Sequence, residues 1–310
     1  MTRNIVILLC LLVAKLQSQD FTKQEITIAE DIIGDLYQPK TGKAKVLIIQ
    51  IPGSGIPDRN GNSPGMENNS LKFLAESLAS QHAVFAFDKR VITQMKAKKE
   101  IKEEEMTFQD NVKDLEIIIN HFKKEKKFSK IVLIGHSEGS LVAMLAANKT
   151  NGYISLAGAG RSIDFILKDQ LLAQAPFWKE EIELGLNTLK SQQPFENKNK
   201  MLESIFQKSV QAYMMSWMQI DPAVEIKKLQ VPILIINGTK DIQVKETEAE
   251  ILHQAKPDAT LEILKNMNHV LKNIHGDLGE NYKSYTDPNL PLHPELSKLI
   301  LDFILKIFTK

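Results

Sequence analysis

The chain has 310 residues, of which 43% are hydrophobic and 25% are charged, and this balance excludes a globally disordered protein. Its formal charge of +1, from 39 basic and 38 acidic residues, lacks the basic excess that marks a nucleic-acid-binding protein. The single cysteine excludes both a disulfide scaffold and a cysteine-rich zinc site.

The first 19 residues have the three regions of a secretory signal peptide. Arg3 precedes an apolar run over residues 5–14, and a short polar stretch follows at residues 15–19. The apolar run is about half as long as the roughly 20 residues that span a bilayer, so we expect an exported protein, periplasmic or extracellular, with no membrane span after processing. An uncleaved anchor is the alternative. Cleavage would also remove Cys10 and two basic residues, which changes the charge from +1 to −1.

Six short apolar segments are predicted to be buried strands. They cover residues 45–51, 83–87, 130–134, 153–156, 231–236 and 261–264. The first, third and fifth are continuous apolar runs closely followed by glycine, which is typical of a parallel strand covered on both faces.

Helical patterns separate these strands. Thr107 and Asp110 have the spacing of a capping box, and apolar residues follow them at helical intervals. The last helix is predicted to begin near Pro294, because proline is favourable in a first turn. Alternating strands and helices predict an α/β protein with a mostly parallel central sheet flanked by helices.

One long helix-like segment, residues 161–229, contains no predicted strand and is interpreted as a helical cap inserted into the α/β domain. It contains Trp178 and Trp217, and four of the ten methionines, among them Met214 and Met218. The candidates to line a substrate pocket are Trp178, Trp217, Met214 and Met218, because methionine and tryptophan offer adaptable apolar surface. Ordinary packing between the cap and the sheet is the alternative for each of them.

Residues 135–139 read Gly-His-Ser-Glu-Gly, which is the G-x-S-x-G pattern of a nucleophile elbow. The pattern directly follows the predicted strand 130–134 and directly precedes a segment of small residues with helical character. Such a sharp turn projects the serine hydroxyl, and the two glycines let strand and helix pass close together. Ser137 is therefore the candidate nucleophile.

A serine hydroxyl needs a base and an orienting acid, and after such an elbow they follow in the order Asp or Glu, then His. Asp241 lies just past the fifth predicted strand, at the sheet edge where α/β proteins place their sites. His269 lies on the loop after the sixth predicted strand, whereas His275 and His293 are later alternatives. We expect His269 to be the base, since its loop returns towards Ser137.

Two backbone N–H groups must also face the oxyanion of a tetrahedral intermediate. One is expected to belong to Glu138, the residue after the nucleophile. The other is expected to come from the glycine-rich loop after the first predicted strand. Ser54 is the preferred donor, with Gly53 and Gly55 as alternatives.

Two charged residues, Asp88 and Arg90, follow the second predicted strand. We interpret both as structural groups that brace the oxyanion loop by charge-assisted hydrogen bonds. Direct contact between Arg90 and the substrate is the alternative.

Together these motifs resemble those of bacterial α/β-hydrolases, and more narrowly of the EstD-type carboxylesterases, over most of the chain. The resemblance rests on residues 53–55, 58–62, 87–90, 135–139, 157–161, 238–241, 267–272 and 290–294. It implies an α/β-hydrolase fold over residues 20–310 and a triad of Ser137, Asp241 and His269. It also implies hydrolysis of short- to medium-chain acyl esters without a cofactor. One departure is Pro52, since related enzymes often have histidine before the oxyanion glycine.

Other functions remain open at this point. A serine peptidase, an aminopeptidase or a thioesterase would use the same fold, and Glu180, Glu181 and Glu183 could bind a substrate amine if they face the site. A non-catalytic binding protein is a third alternative, although such proteins commonly lose a member of the triad. No His-Glu-x-x-His motif or His/Cys cluster is present, so we expect no metal. The expected partner is a small ester, and the oligomeric state is not predicted.

Overall fold

An eight-stranded sheet forms the centre of the computed structural model, which describes residues 20–309. The strands are β1 (Phe21–Ala29), β2 (Ile32–Pro39), β3 (Val46–Ile51), β4 (Ala83–Phe87), β5 (Lys130–His136), β6 (Gly152–Leu156), β7 (Ile233–Gly238) and β8 (Thr260–Leu264). Their spatial order is β1-β2-β4-β3-β5-β6-β7-β8. The β1–β2 and β2–β4 pairs are antiparallel, and all other pairs in the sheet are parallel.

Helices cover both faces of this sheet. In residues 20–309 they are α1 (Ser70–Leu78), α2 (Arg90–Lys96), α3 (Phe108–Glu125), α4 (Glu138–Ala146), α5 (Ile163–Gln174), α6 (Lys179–Lys190), α7 (Glu203–Phe206), α8 (Gln211–Met218), α9 (Pro222–Glu225), α10 (Glu246–Ala255), α11 (Leu278–Ser284) and α12 (Leu296–Phe308). The predicted α/β class with a mostly parallel sheet is confirmed, and the architecture is an α/β-hydrolase fold.

Two separate hydrophobic cores lie on the two faces of the sheet. Successive residues of a strand point to opposite faces, so Leu47 and Ile49 of β3 join one core while Ile48 joins the other. The first core packs against α3 and α4, and the second against α1 and α12. Both faces are covered, which explains why the parallel strands are continuous apolar runs in the sequence.

The segment between β6 and β7 contains α5 to α9 and, among the described residues, no strand. These helices lie within residues 161–229, the range predicted for the cap. Trp217 of α8 stacks on Phe108 at the start of α3, with 5.4 Å between the ring centroids. This contact joins the cap segment to a helix that packs on the sheet.

All six predicted strands are present, with ends that differ by up to two residues. The capping box is also present, since Thr107 N donates to Asp110 Oδ2 over 2.9 Å. The antiparallel strands β1 and β2 were not predicted, because β1 is largely exposed and lacks a continuous apolar run. The last helix begins at Leu296, two residues after Pro294.

The predicted signal peptide, residues 1–19, lies outside the described residues. Within residues 20–309, no helix has the length and apolar character needed to cross a bilayer.

Candidate active site

Ser137 occupies a strained turn between β5 and α4. Its backbone angles are φ 55° and ψ −121°, in a region that residues other than glycine rarely adopt. The flanking glycines are needed for close approach, since a Cβ at Gly135 would lie 2.2 Å from the carbonyl O of Gly139. A Cβ at Gly139 would lie 2.4 Å from the carbonyl O of Pro52. The elbow therefore packs tightly against both its own helix and the loop that follows β3.

Asp241 and His269 form a buried pair at the same edge of the sheet. The turn after β7 carries Asp241, and the loop after β8 carries His269, with 2.8 Å between His269 Nδ1 and Asp241 Oδ2. Asp241 Oδ1 accepts hydrogen bonds from the backbone N–H groups of Gln243 and Val244, at 2.8 and 2.9 Å. The carboxylate is thus held in place, and it fixes the orientation of the His269 ring through Nδ1.

His136 connects the elbow with the loop that carries His269. Its Nε2 lies 2.8 Å from the carbonyl O of His269, and the two ring centroids are 4.9 Å apart. Because a carbonyl only accepts, His136 donates this hydrogen bond from Nε2. Burial and the neighbouring His269 lower the pKa of His136 to about 4. The residue directly before Ser137 therefore contacts the residue predicted to be its base.

The two predicted oxyanion donors belong to residues that line the same cavity as Ser137. Glu138 is the first residue of α4, where backbone N–H groups have no partner within the helix. A Cβ at Gly53 would lie 3.2 Å from Ser137 Cβ, which shows how closely the loop after β3 approaches the serine. Ser54, Ser137 and Glu138 all line one cavity.

This cavity has a volume of about 370 Å³ and lies between the sheet edge and the cap helices. Met214 and Trp217, two of the four predicted pocket residues, line it. Trp178 is not among its lining residues; it is partly buried and packs edge-on against Phe177 at 4.7 Å. Met218 does not line it either, because its side chain is fully buried in the core one turn beyond Met214.

One polar group of this cavity, the ammonium group of Lys89, was not predicted from the sequence. Lys89 Nζ forms a buried ion pair with Glu138 Oε1 at 2.6 Å, and both side chains line the cavity. Tyr213 and Asn111 line it as well, with 2.8 Å between Asn111 Nδ2 and Tyr213 Oη. Burial and the Glu138 carboxylate raise the pKa of Tyr213 well above its ordinary value. The signal for Lys89 is its position just past the end of β4, at the edge where parallel strands deliver site residues.

The charged neighbours of Lys89 have structural partners. Asp88 accepts hydrogen bonds from Arg59 N and Nη2, at 2.8 and 2.9 Å, and so braces the loop after β3 as expected. Arg90 instead pairs with Asp114 of α3, so its interpretation as a brace of the oxyanion loop is corrected.

The two alternative histidines lie elsewhere in the described chain. His275 is exposed, and its Nε2 lies 3.0 Å from Asn273 Nδ2. His293 is buried with its Nε2 at 3.0 Å from the carbonyl O of Lys265. The hydrogen-bonded partner of Asp241 is His269.

Comparison with known proteins places these features in a family. The BD-FAE family model matches residues 34–255. Esterase EstD from Thermotoga maritima is 24% identical over 260 residues, which cover 82% of this chain and 61% of that protein. The chain therefore spans about three fifths of the length of this curated relative.

Solved structures of esterases share the fold. Est1E from Butyrivibrio proteoclasticus has a TM-score of 0.60 and 18% identity, covering 93% of this chain and 99% of that chain. The Pyrococcus furiosus esterase Pf2001 has a TM-score of 0.56 and 16% identity, with 93% and 91% covered. A thermophilic esterase from Thermogutta terrifontis has a TM-score of 0.51 and 16% identity, with 92% and 99% covered. Since the family model covers more than half of its residues, the chain belongs to the BD-FAE family.

Proposed function

We propose that this protein is a serine carboxylesterase that cleaves short- to medium-chain acyl esters through an acyl-enzyme on Ser137. The observation that carries the proposal is the 2.8 Å contact between His269 and Asp241, joined to the elbow through His136. A base oriented by a buried acid, close to a partly buried serine in a strained turn, is the arrangement that activates a hydroxyl nucleophile. The esterase names of the curated relative and of the solved structures agree with this chemistry.

Each step of the reaction has a group to perform it. His269 Nε2 takes the proton of Ser137 as the hydroxyl attacks the ester carbonyl, and Asp241 stabilises the resulting imidazolium. The N–H groups of Ser54 and Glu138 receive the oxyanion. His269 then protonates the leaving alcohol, and the acyl group remains on Ser137. In the second half, His269 deprotonates a water that attacks the acyl-enzyme and releases the acid.

The cavity supports an ester of modest size. Its lining is mainly apolar and includes Leu141, Ile163, Leu167, Met214 and Trp217. A volume of about 370 Å³ lies near the lower end of the range for small-molecule sites. An acyl chain in such a cavity gains free energy from each buried methylene without needing a charged partner.

The structure offers little for an aminopeptidase. Glu181 and Glu183 of α6 bind Asn199 and Lys168 instead of facing the cavity. Glu180 is exposed on the same helix. Among the described residues, the acids that line the cavity are Glu103 and Glu138, and the second is paired with Lys89.

The test compares the wild type with Ser137→Ala on acetyl, butyryl and octanoyl p-nitrophenyl esters. Matched acyl thioesters and aminoacyl p-nitroanilides separate the alternatives, and Ser80→Ala is a control at an exposed serine. We expect ester hydrolysis by wild type and Ser80→Ala, and its loss in Ser137→Ala. Labelling by a fluorophosphonate probe is expected to follow the same pattern. Equal rates in wild type and Ser137→Ala would reject the nucleophile, and faster thioester or amide turnover would reassign the substrate class.

A further inference from the structure

The buried ion pair between Lys89 and Glu138 lies beside the proposed nucleophile. The side chains of Lys89 and Glu138 are 8% and 1% exposed, and their charged atoms are 2.6 Å apart. Both residues line the cavity to which Ser137 contributes. Burying two charges costs a large desolvation free energy that opposes the attraction between them. A gain in stability is therefore a weak explanation for this ion pair.

Glu138 connects this pair with the reaction. Its backbone N–H, at the start of α4, is the proposed oxyanion donor next to Ser137. Its own carboxylate is only a few covalent bonds away from that N–H and is removed from solvent. An unpaired negative charge at this place would oppose the negative charge that develops on the oxyanion, because low local polarity strengthens the repulsion.

We propose that Lys89 is a positioning residue for the oxyanion hole: it neutralises and holds the Glu138 carboxylate, so that the Glu138 N–H can stabilise the transition state. The inference rests on the proposed ester hydrolysis at Ser137. Lys89 acts through Glu138 and makes no bond to the substrate in this role.

The surroundings of Lys89 fix its position. It lies two residues past the end of β4 and directly precedes α2, and the residues on either side of it are anchored in other ion pairs. Asp88 binds Arg59 in the loop after β3, and Arg90 binds Asp114 of α3. The backbone of Lys89 is thus held from both sides, while its ammonium group reaches Glu138.

The test is a double-mutant cycle of Lys89→Met and Glu138→Gln, with kcat and KM measured for a p-nitrophenyl ester. Lys89→Met leaves the Glu138 charge unpaired, and we expect kcat to fall at least about tenfold, with KM little changed, approaching the 10²–10³ loss seen when an oxyanion donor is removed. In the Glu138→Gln background the same Lys89→Met change has no charge to expose. There we expect it to alter kcat by less than about threefold. A smaller effect of Lys89→Met in the Glu138→Gln background requires the Glu138 charge, because lost packing at Lys89 would reduce kcat equally in both backgrounds.

Lys96→Met is the matched control. Lys96 also pairs with a buried carboxylate, that of Asp88 at 2.7 Å, but its side chain is 58% exposed and does not line the cavity. We expect kcat within about twofold of wild type, since exposed pairs contribute little.

Several results would overturn the inference. One is a Lys89→Met loss of equal size in both Glu138 backgrounds. Another is an effect on KM alone, which would assign Lys89 to direct substrate contact. Should Lys89→Met fail to fold, Lys89→Gln, which also removes the charge, takes its place in all corners of the cycle. Should the wild type hydrolyse no ester, the proposed function fails separately. The rate of fluorophosphonate labelling at Ser137, which uses the same oxyanion donors, then decides the role of Lys89.

Discussion

His136 Nε2 donates a hydrogen bond to the carbonyl O of His269 over 2.8 Å, although 133 positions separate the two residues in the chain. The contact joins His136, the residue before the proposed nucleophile, to His269, whose Nδ1 lies beside the Asp241 carboxylate. It fixes the distance between the elbow and the loop after β8 through one buried side chain, which is 8% exposed.

We expect His136→Ala to impair both folding and catalysis. The change leaves the carbonyl of His269 without its donor, which costs about 1–3 kcal/mol of unfolding free energy, and kcat falls by about tenfold as the His269 loop loses its anchor. His136→Gln retains a donor and is expected to recover part of both losses. Urea unfolding and ester kinetics measure the two effects. His121→Ala, at a partly exposed histidine of α3, serves as the control.

If His136→Ala leaves kcat unchanged, other contacts position the loop that carries His269. Equal losses of kcat and of unfolding free energy in His136→Ala and His121→Ala would lead to the same conclusion.

The pKa of His136 predicts a specific loss of stability in acid. Burial and His269 lower the pKa of His136 from the ordinary 6.5 to about 4. Between pH 6.5 and pH 4, His136 is therefore protonated in the unfolded chain but not in the folded chain. The free energy of unfolding is therefore unaffected by His136 above pH 6.5 and decreases as the pH falls from 6.5 towards 4. The difference between the two pKa values corresponds to about 3 kcal/mol of unfolding free energy.

Urea unfolding of wild type and His136→Gln over this pH range isolates the contribution. We expect the wild type to lose up to about 3 kcal/mol more than the variant between pH 7 and pH 4, because the variant lacks the titrating imidazole. Parallel stability curves for the two proteins would contradict a neutral, buried His136.

The parallel part of the fold could be predicted because each strand, covered on both faces, is a continuous apolar run. The antiparallel pair β1 and β2 could not, since β1 lies at an exposed edge and β2 interrupts its apolar residues with Gly34 and Asp35. The signal peptide and the export of the protein remain predictions from residues 1–19.

Within the site, the order of the chain, together with the position of each loop after its strand, suffices to select Ser137, Asp241 and His269 for their proposed roles. It does not show the partners of their neighbours. His136 fails the order required of a base, and its contact with His269 depends on the approach of two distant loops. Lys89 lies between two charged residues that have structural partners. All three share the position just past β4, so that position does not indicate which of them reaches the cavity.

Met214 and Met218 provide a matched test of the cavity. They lie one turn apart on α8, but Met214 lines the cavity whereas Met218 is fully buried in the core. We expect Met214→Ala to shift the preference towards longer esters, by about fourfold in kcat/KM for each additional methylene accommodated. Met218→Ala is expected to cost about 2–5 kcal/mol of stability and to leave the preference unchanged. Acyl-length and alcohol-length series measure the preference. A shift of the same size in both variants would indicate a general loosening of the cap.

Gly135 tests whether the elbow requires its glycine for space. An alanine Cβ there would lie 2.2 Å from the carbonyl O of Gly139, which is backbone and cannot move aside without displacing Ser137. We therefore expect Gly135→Ala to destabilise the fold by about 3 kcal/mol or more and to reduce kcat in the folded protein. Gly42 is the control, because its φ of +79° is strained for alanine but nothing lies within 4 Å of the added Cβ. Gly42→Ala is expected to cost only about 1–2 kcal/mol and to leave kcat unchanged. If both substitutions cost the same and neither affects kcat, close packing around Gly135 does not position the nucleophile.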